Sequence, residues 1–376
     1  MELPTPNAQR STLNAQLRIR RWTLGVRRST FRKGMICPKN IRAFRGSLLR
    51  WYRRHGRNLP WRRTRDPYAI LVSEFMLQQT QVSTVIPYYD EWLRRFPDFA
   101  SLARASENDI LHAWQGLGYY ARARNLRATA RAVADQYRGR FPRSVGKMQK
   151  LPGIGKYTAH AVSSFAFNQS VPIIEANTAR VLTRLFDFRR SIESPAGRAT
   201  LWEYAASLVP KSNARIYNSA LIDLGALVCI PRKPECGICP VRKFCLAKSP
   251  AALPVRKSRP RTTRLVEKHA FVVRQRKILL EQSSKRWRGM WILPRLQTDS
   301  SNRRPIYRSI FPFTNHRVEL NVYAHRRRKI DDHSQRWNRI DCLDSIPIPS
   351  PHRKALRYLL SEATAARARR QQSSGS

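Results

Sequence analysis

The sequence predicts a mainly α-helical domain, closed by a four-cysteine metal loop and followed by a smaller α+β domain. Three observations predict it. From about residue 41 to 228 apolar residues recur at helical spacing with only short breaks; Cys229, Cys236, Cys239 and Cys245 then fall within one loop; and beyond residue 265 the chain changes to short β-like runs. A chain of 376 residues with 42% hydrophobic content can bury more than one core. Against 24 acidic residues stand 72 basic ones, and the formal charge of +48 calls for a polyanionic partner. Apolar runs stay below the roughly 18 residues needed to span a bilayer, so nucleic acid suits this charge better than a membrane.

Residues 1–40 are basic, with Glu2 the single acid, and are read as a disordered arm. They also fit sequence upstream of a start at Met35, or an Arg- and Ser-rich organellar transit peptide. Helices are predicted at 41–55, 67–83, 85–95, 107–114, 120–138, 157–167, 178–187, 198–208 and 214–228. Asp66 supplies an N-cap and Pro67 the first helical position of the second of these. Leu151-Pro-Gly153-Ile-Gly155-Lys156-Tyr157 joins two helices through a Gly-x-Gly hairpin. Its backbone amides and the next helix N-terminus make a phosphate seat that needs no base contact.

The four cysteines are spaced C-x6-C-x2-C-x5-C, with Pro231, Pro234, Gly237 and Pro240 turning the chain between them. Four thiolates suit tetrahedral zinc or a cubane iron–sulfur cluster. Zinc ribbons usually pair two C-x2-C units, and the single pair here favours the cluster. Cys37 and Cys342 stand apart, which argues against a disulfide framework. Residues 249–264 read as a basic linker, and 265–367 as the second domain. Strands are predicted at His269–Val273, Lys277–Glu281, Trp291–Leu293 and Val318–Tyr323, then a helix at 351–367 and a polar tail, 368–376.

A Gly-x-Gly hairpin followed by such a loop resembles the helix–hairpin–helix DNA glycosylase superfamily with a [4Fe–4S] loop, which contains endonuclease III and the MutY-type adenine glycosylases. Ser73-Glu-Phe-Met-Leu-Gln-Gln-Thr-Gln-Val82 is similar to the MutY-type segment "SE-x-MLQQTQV". Lys285-Arg-Trp287-Arg-Gly-Met-Trp291-Ile-Leu-Pro294 resembles the "W-x-G-x-W-x-x-P" strand of the Nudix-like domain those enzymes carry. The implied fold is a helix–hairpin–helix glycosylase domain (41–228), an iron–sulfur loop (229–248) and a Nudix-like recognition domain (265–367). Residues 295–308 offer only Asp299 where a Nudix hydrolase needs a Glu-rich metal helix, so pyrophosphatase chemistry is not expected.

The resemblance implies a monofunctional glycosylase that flips out adenine mispaired with 8-oxoguanine or guanine and cuts its N-glycosidic bond. Glu74, with Ile70 and Leu77 at helical spacing around it, is the general acid, because an apolar setting raises a carboxyl pKa. Glu175 faces the sugar and stabilises the oxocarbenium charge; the following helix N-terminus should hold it ionised. The family places Asp-Gly-Asn where this chain has Glu175-Ala176-Asn177. The longer acid moves its carboxyl by ~1.5 Å, more than the ~0.5 Å placement tolerance of catalytic groups. Tyr157 stands where bifunctional members carry a Schiff-base lysine, and with Asn177 it positions the acid, water and sugar. Trp61 and Arg62 line the adenine pocket; Gln79, Thr80, Tyr119, Gly153, Gly155 and Lys156 contact DNA. Phe313, Thr314, Asn315 and His316 occupy the place of the family's Phe-Ser-His lesion loop, with Asn315 replacing the usual His.

The implied cofactor is a [4Fe–4S] cluster on Cys229, Cys236, Cys239 and Cys245, and the partner is double-stranded DNA with adenine mispairs, bound by a monomer away from membranes. The implied location is the cytoplasm at a bacterial nucleoid, or an organelle or nucleus in a eukaryote. Two alternatives stay open. One is a catalytically weakened mismatch-binding protein with Glu175 misplaced; the other is an endonuclease III-like lyase acting on oxidised pyrimidines.

Overall fold

The computed structural model describes residues 38–256, 262–296, 304–325 and 334–373. Residues 1–37, with Met35 and Cys37, part of the expected linker (257–261), Asp299 and the end of the tail (374–376) lie outside the described residues.

The helical part consists of α1 (Pro38–His55), α2 (Pro67–Leu77), α3 (Val82–Arg95), α4 (Phe99–Arg104), α5 (Glu107–Ala113), α6 (Ala121–Tyr137), α7 (Val145–Met148), α8 (Lys156–Phe167), α9 (Ala176–Leu185), α10 (Pro195–Leu208) and α11 (Ala214–Leu227). Caps set several starts. The Asp66 carboxylate accepts from the amides of Tyr68 and Ala69, with Pro67 next in the chain, as the sequence implies. Ser194 accepts from Gly197 ahead of α10, again beside a proline.

Two apolar cores organise these helices into two lobes. The first gathers α2 to α8 around Ile70, Phe75, Trp92, Trp114, Leu126 and Val162. Trp92 and Trp114 meet edge-on at 5.2 Å. The second packs α1, α9, α10, α11 and the cysteine loop around Phe44, Leu48, Leu182, Leu221 and Leu224. Each fully buried side chain of this kind contributes roughly 1.5–3 kcal/mol. The lobes hold because both cores close, and the gap between them is left for polar groups.

The second domain is α+β. β1 (Thr263–Phe271) runs parallel to β6 (His316–Ala324), which pairs antiparallel with β5 (Tyr307–Phe313). In a second sheet, β3 (Lys277–Gln282) pairs with β2 (Val273–Arg274), β4 (Trp291–Ile292) and β7 (Gln335–Arg339). The last helix, α12 (Ser350–Ser373), contributes Ala355, Leu356 and Leu359 to the core of this domain. Trp287, Met290 and Ile292 join the first lobe's core, so the domain is seated on the helical part. Arg124 donates to the Arg288 carbonyl and Arg353 to Gln115 across this contact.

Several elements depart from the sequence reading. α1 begins at Pro38, inside the stretch expected to be an arm, and α12 runs on to Ser373, past the expected end at 367. The expected helix 67–83 stops at Leu77, because residues 78–81 form a turn with Gln79 at φ 59°. α4, α7, β5 and β7 were not expected.

Candidate active site

Between the lobes lies a cavity of about 560 Å³. Trp61, Arg62, Glu74, Gln79, Thr80, Tyr157, Glu175, Ala176 and Asn177 all line it, so the residues expected to carry the chemistry and to line the base pocket converge here. Glu74 sits on α2, which is buried on every side from Tyr68 to Met76. A carboxyl on such a helix cannot keep its hydration, and an isolated buried carboxylate shifts its pKa rather than remain charged. Burial accordingly pushes Glu74 up to about 7, with Glu175 adding to the rise while Tyr157 and Arg62 oppose it. The Tyr157 hydroxyl donates to Glu74 Oε2 at 2.6 Å, and burial holds that phenol well above its ordinary pKa. Lys156, one residue earlier, is turned away from the cavity, with its ammonium 4.0 Å from the ring centre of Trp202.

Glu175 is the N-cap of α9. Its Oε1 accepts from the Thr178 amide and its Oε2 from the Asn177 amide, each at 2.8 Å, while its own amide donates to Thr178 Oγ1 at 2.8 Å. The capping box thus folds the longer side chain back onto the helix end. Ala176 falls at the first helical position, where no glycine is required. The helix amides favour the carboxylate, as expected, and so does Arg180; burial is the larger effect, and the net shift of Glu175 is upward. Asn177 is held from behind by Arg180, whose Nη2 donates to Asn177 Oδ1 at 2.8 Å and whose Nε donates to the Cys229 carbonyl at 2.7 Å.

Three supporting residues escaped the sequence reading. Asp223 is fully buried and accepts from both Nη1 (2.6 Å) and Nη2 (2.7 Å) of Arg62, and from Nε of Arg57 at 2.8 Å. That bidentate contact fixes the guanidinium plane against the cavity. The only signal in the sequence was a lone acid within the apolar α11. Arg215 donates to the Arg62 carbonyl at 2.6 Å. Arg122 is buried and donates to the carbonyls of Phe75, Met76, Gln78, Leu117 and Gly118. It therefore ties the turn carrying Gln79 to the one carrying Tyr119, both of which hold non-glycine residues at positive φ (59° and 45°). Such backbone costs roughly 1–3 kcal/mol per residue and persists where the surroundings enforce it.

The hairpin has Gly153 at φ 73°, with its Cα so close to Asn125 that an added Cβ would lie 2.6 Å from that residue's Cβ. Gly155 caps α8. Neither glycine lines the cavity, and both lie at the hairpin surface before Lys156.

A second cavity, about 360 Å³, opens where the two domains meet. Tyr119, half exposed, lines it together with Arg124, Arg286, Trp287, Phe311, Phe313 and Thr314. The structure thus brings Phe313 and Thr314 to Tyr119. Asn315 and His316 are not among the lining residues: the Asn315 carbonyl accepts from the Thr263 amide, and the His316 ring meets the Thr263 hydroxyl.

The four cysteines line a further cavity of about 360 Å³. Among the described residues no group of three or more His, Cys, Asp or Glu side chains is placed to hold a single metal ion. Burial pushes the Cys239 thiol up to about 11 and raises Cys245, and neighbouring thiolates repel one another in both cases. Bound cationic iron removes that penalty, so the donor set fits a cluster. Arg184, fully buried, braces the loop through the carbonyls of Cys229, Ile230 and Pro231 and through Cys229 Sγ at 3.3 Å.

Residues 72–206 match the family described as "HhH-GPD superfamily base excision DNA repair protein", and residues 229–245 match the "Iron-sulfur binding domain of endonuclease III". The loop is therefore an iron–sulfur site. The human adenine DNA glycosylase is 43% identical over 217 residues, which are 55% of this chain and 40% of that protein. The adenine DNA glycosylase of Buchnera aphidicola subsp. Schizaphis graminum is 34% identical over 266 residues, covering 69% of this chain and 76% of its own length. The chain spans 42% to 57% of the length of three other such relatives. Among solved structures, a thermostable thymine-DNA glycosylase superposes with a TM-score of 0.51 at 33% identity, over 55% of this chain and 96% of that one.

Proposed function

The chain belongs to the adenine DNA glycosylase family, and from that premise we propose that it removes adenine mispaired with 8-oxoguanine or guanine as a monofunctional enzyme. The observation that carries the reading is the Glu74–Tyr157 hydrogen bond of 2.6 Å across a cavity also lined by Glu175.

In this reading duplex DNA is gripped by the Gly153–Gly155 hairpin, Lys156, Gln79 and Thr80, and Tyr119 wedges beside the opposite base. The adenine is flipped into the larger cavity, where Trp61 and the Asp223-braced Arg62 hold it. Tyr157 occupies Glu74 Oε2, leaving Oε1 to carry the proton delivered to adenine N7. Protonation improves the leaving base, and positive charge develops at C1′ of the sugar. Glu175, braced by Asn177 and its own helix amides, stabilises that charge before water adds. No amine occupies the position of Tyr157, so the abasic strand is left uncut. Cys229, Cys236, Cys239 and Cys245 would hold a [4Fe–4S] cluster, which when bound supplies a charged, rigid centre for the loop. Arg232, Lys233, Arg242 and Lys243 of that loop then face phosphates. The second domain acts as a Nudix-like recognition module that places Phe313 and Thr314 at the opposite base. No helix among the described residues is long and apolar enough to cross a membrane, and a monomer on DNA suffices for every step.

The test is single-turnover incubation with a duplex carrying adenine opposite 8-oxoguanine or guanine. Alkali should then cut the strand at the adenine position, and omitting alkali should leave it intact. Cutting without alkali, with a protein–DNA adduct trapped by borohydride, would support a lyase instead.

A further inference from the structure

The second cavity contains a guanidinium that the proposed reaction does not use. Arg286 lines it with its Cζ 4.6 Å from the ring centre of Phe313 and 5.7 Å from that of Trp287. The side chain is only 14% exposed. Its Nη1 lies 3.3 Å from Glu267 Oε1, yet that buried nitrogen makes no hydrogen bond. The other guanidinium lining the cavity, that of Arg124, is engaged with the Arg288 carbonyl at 2.7 Å. The Thr314 hydroxyl donates to the Phe313 carbonyl at 2.7 Å. The Asn315 backbone carbonyl and the His316 ring are engaged by Thr263, and neither residue lines the cavity. Arg286 is the guanidinium lining this cavity that keeps a buried nitrogen without a hydrogen bond.

A planar guanidinium held over an aromatic ring presents its N–H groups edge-on, and its commonest specific partner in DNA is a purine carbonyl. Guanine offers O6 and N7 as acceptors beside a C8–H; in 8-oxoguanine N7 becomes a donor and C8 carries a carbonyl oxygen, O8, the acceptor peculiar to the lesion. We propose that Arg286 is the specificity-determining residue that reads the base opposite the excised adenine, donating a hydrogen bond to O8 of 8-oxoguanine. It would take over the part for which Asn315 and His316, which do not line the cavity, are not placed. Phe313 then serves as the platform for the guanidinium, and the ion pair with Glu267 anchors it. This inference rests on the adenine glycosylase reading given above.

The experiment compares single-turnover excision of adenine opposite 8-oxoguanine, guanine and a tetrahydrofuran abasic analogue, in the parent and in Arg286→Gln. The 8-oxoguanine-over-guanine preference should fall by at least about fivefold, the discrimination one good contact supplies. The rate opposite tetrahydrofuran, where there is no base to read, should change by less than about twofold. A preference within about twofold of the parent overturns the inference, as does an equal loss on all three substrates, which would make Arg286 merely a brace for the loop. If Arg286→Gln does not fold, Arg286→Lys keeps the charge and stem without the planar fork and should lose preference in the same direction. A parent that releases no adenine would defeat the proposed function instead. Binding of duplexes with uncleavable 2′-fluoroadenosine opposite 8-oxoguanine or guanine still reads the preference in that case, and equal affinities in parent and variant would overturn the role of Arg286.

Discussion

Glu74 is the residue on which the proposed chemistry turns, and the net effect of its surroundings is to raise its pKa. Burial disfavours the charged form and raises its pKa to about 7, so the proton is retained below neutrality and lost as pH rises through that value. Single-turnover excision should therefore fall as pH climbs past about 7, and Glu74→Gln should bind mispaired DNA nearly as well as the parent while releasing little adenine. A near-parental rate in that variant would remove Glu74 from the role of acid. Glu175 is a separate question, because its carboxylate caps α9 as well as facing the cavity. Glu175→Asp preserves a cap but draws the oxygens back from the cavity, so excision should slow by about ten- to a hundredfold. Faster excision would mean that the longer acid is a defect. The motif around Glu74 made that residue legible in sequence. Asp223 and Arg122 were not, because a lone acid in an apolar helix, or one of the four arginines of α6, gives no hint of the guanidinium or carbonyls it will meet after folding.

At the scale of elements, helical periodicity marked most of the long helices, and the cysteine spacing marked the loop. The break at Leu77 was invisible because residues 78–81 contain neither glycine nor proline; the turn is enforced from a distance by Arg122 bonding the Phe75, Met76 and Gln78 carbonyls. β5 was missed because Pro312 reads as a strand breaker, yet it pairs with Arg317 near the strand's end. The cysteine loop is packed into the second lobe's core and braced by Arg184, so ligation and folding should be coupled there. Cys236→Ser should lose iron and broad visible absorption together with soluble yield. Full iron content in a soluble variant would contradict the four-thiolate set, and zinc in place of iron in the parent would contradict the cluster.

At the scale of the molecule, the two lobes make the larger cavity and the seated second domain makes the smaller one. The seat depends on close approach at Gly289, which has φ 82° and would bring an added Cβ to 3.0 Å from both Glu107 and Leu111. A formal charge of +48 implies heavy reliance on phosphate contacts. Affinity for duplex DNA should drop by roughly a thousandfold or more between about 50 and 200 mM salt, a slope that equilibrium binding measures directly; a flat response would mean that most of the arginines are mere composition. The account as a whole is tested most directly by identifying the released base. Under single-turnover conditions with an adenine:8-oxoguanine duplex, free adenine should appear in step with abasic sites, and an adenine:thymine duplex should release none. An intact adenine strand, or release of thymine or an oxidised pyrimidine in its place, would contradict the assignment.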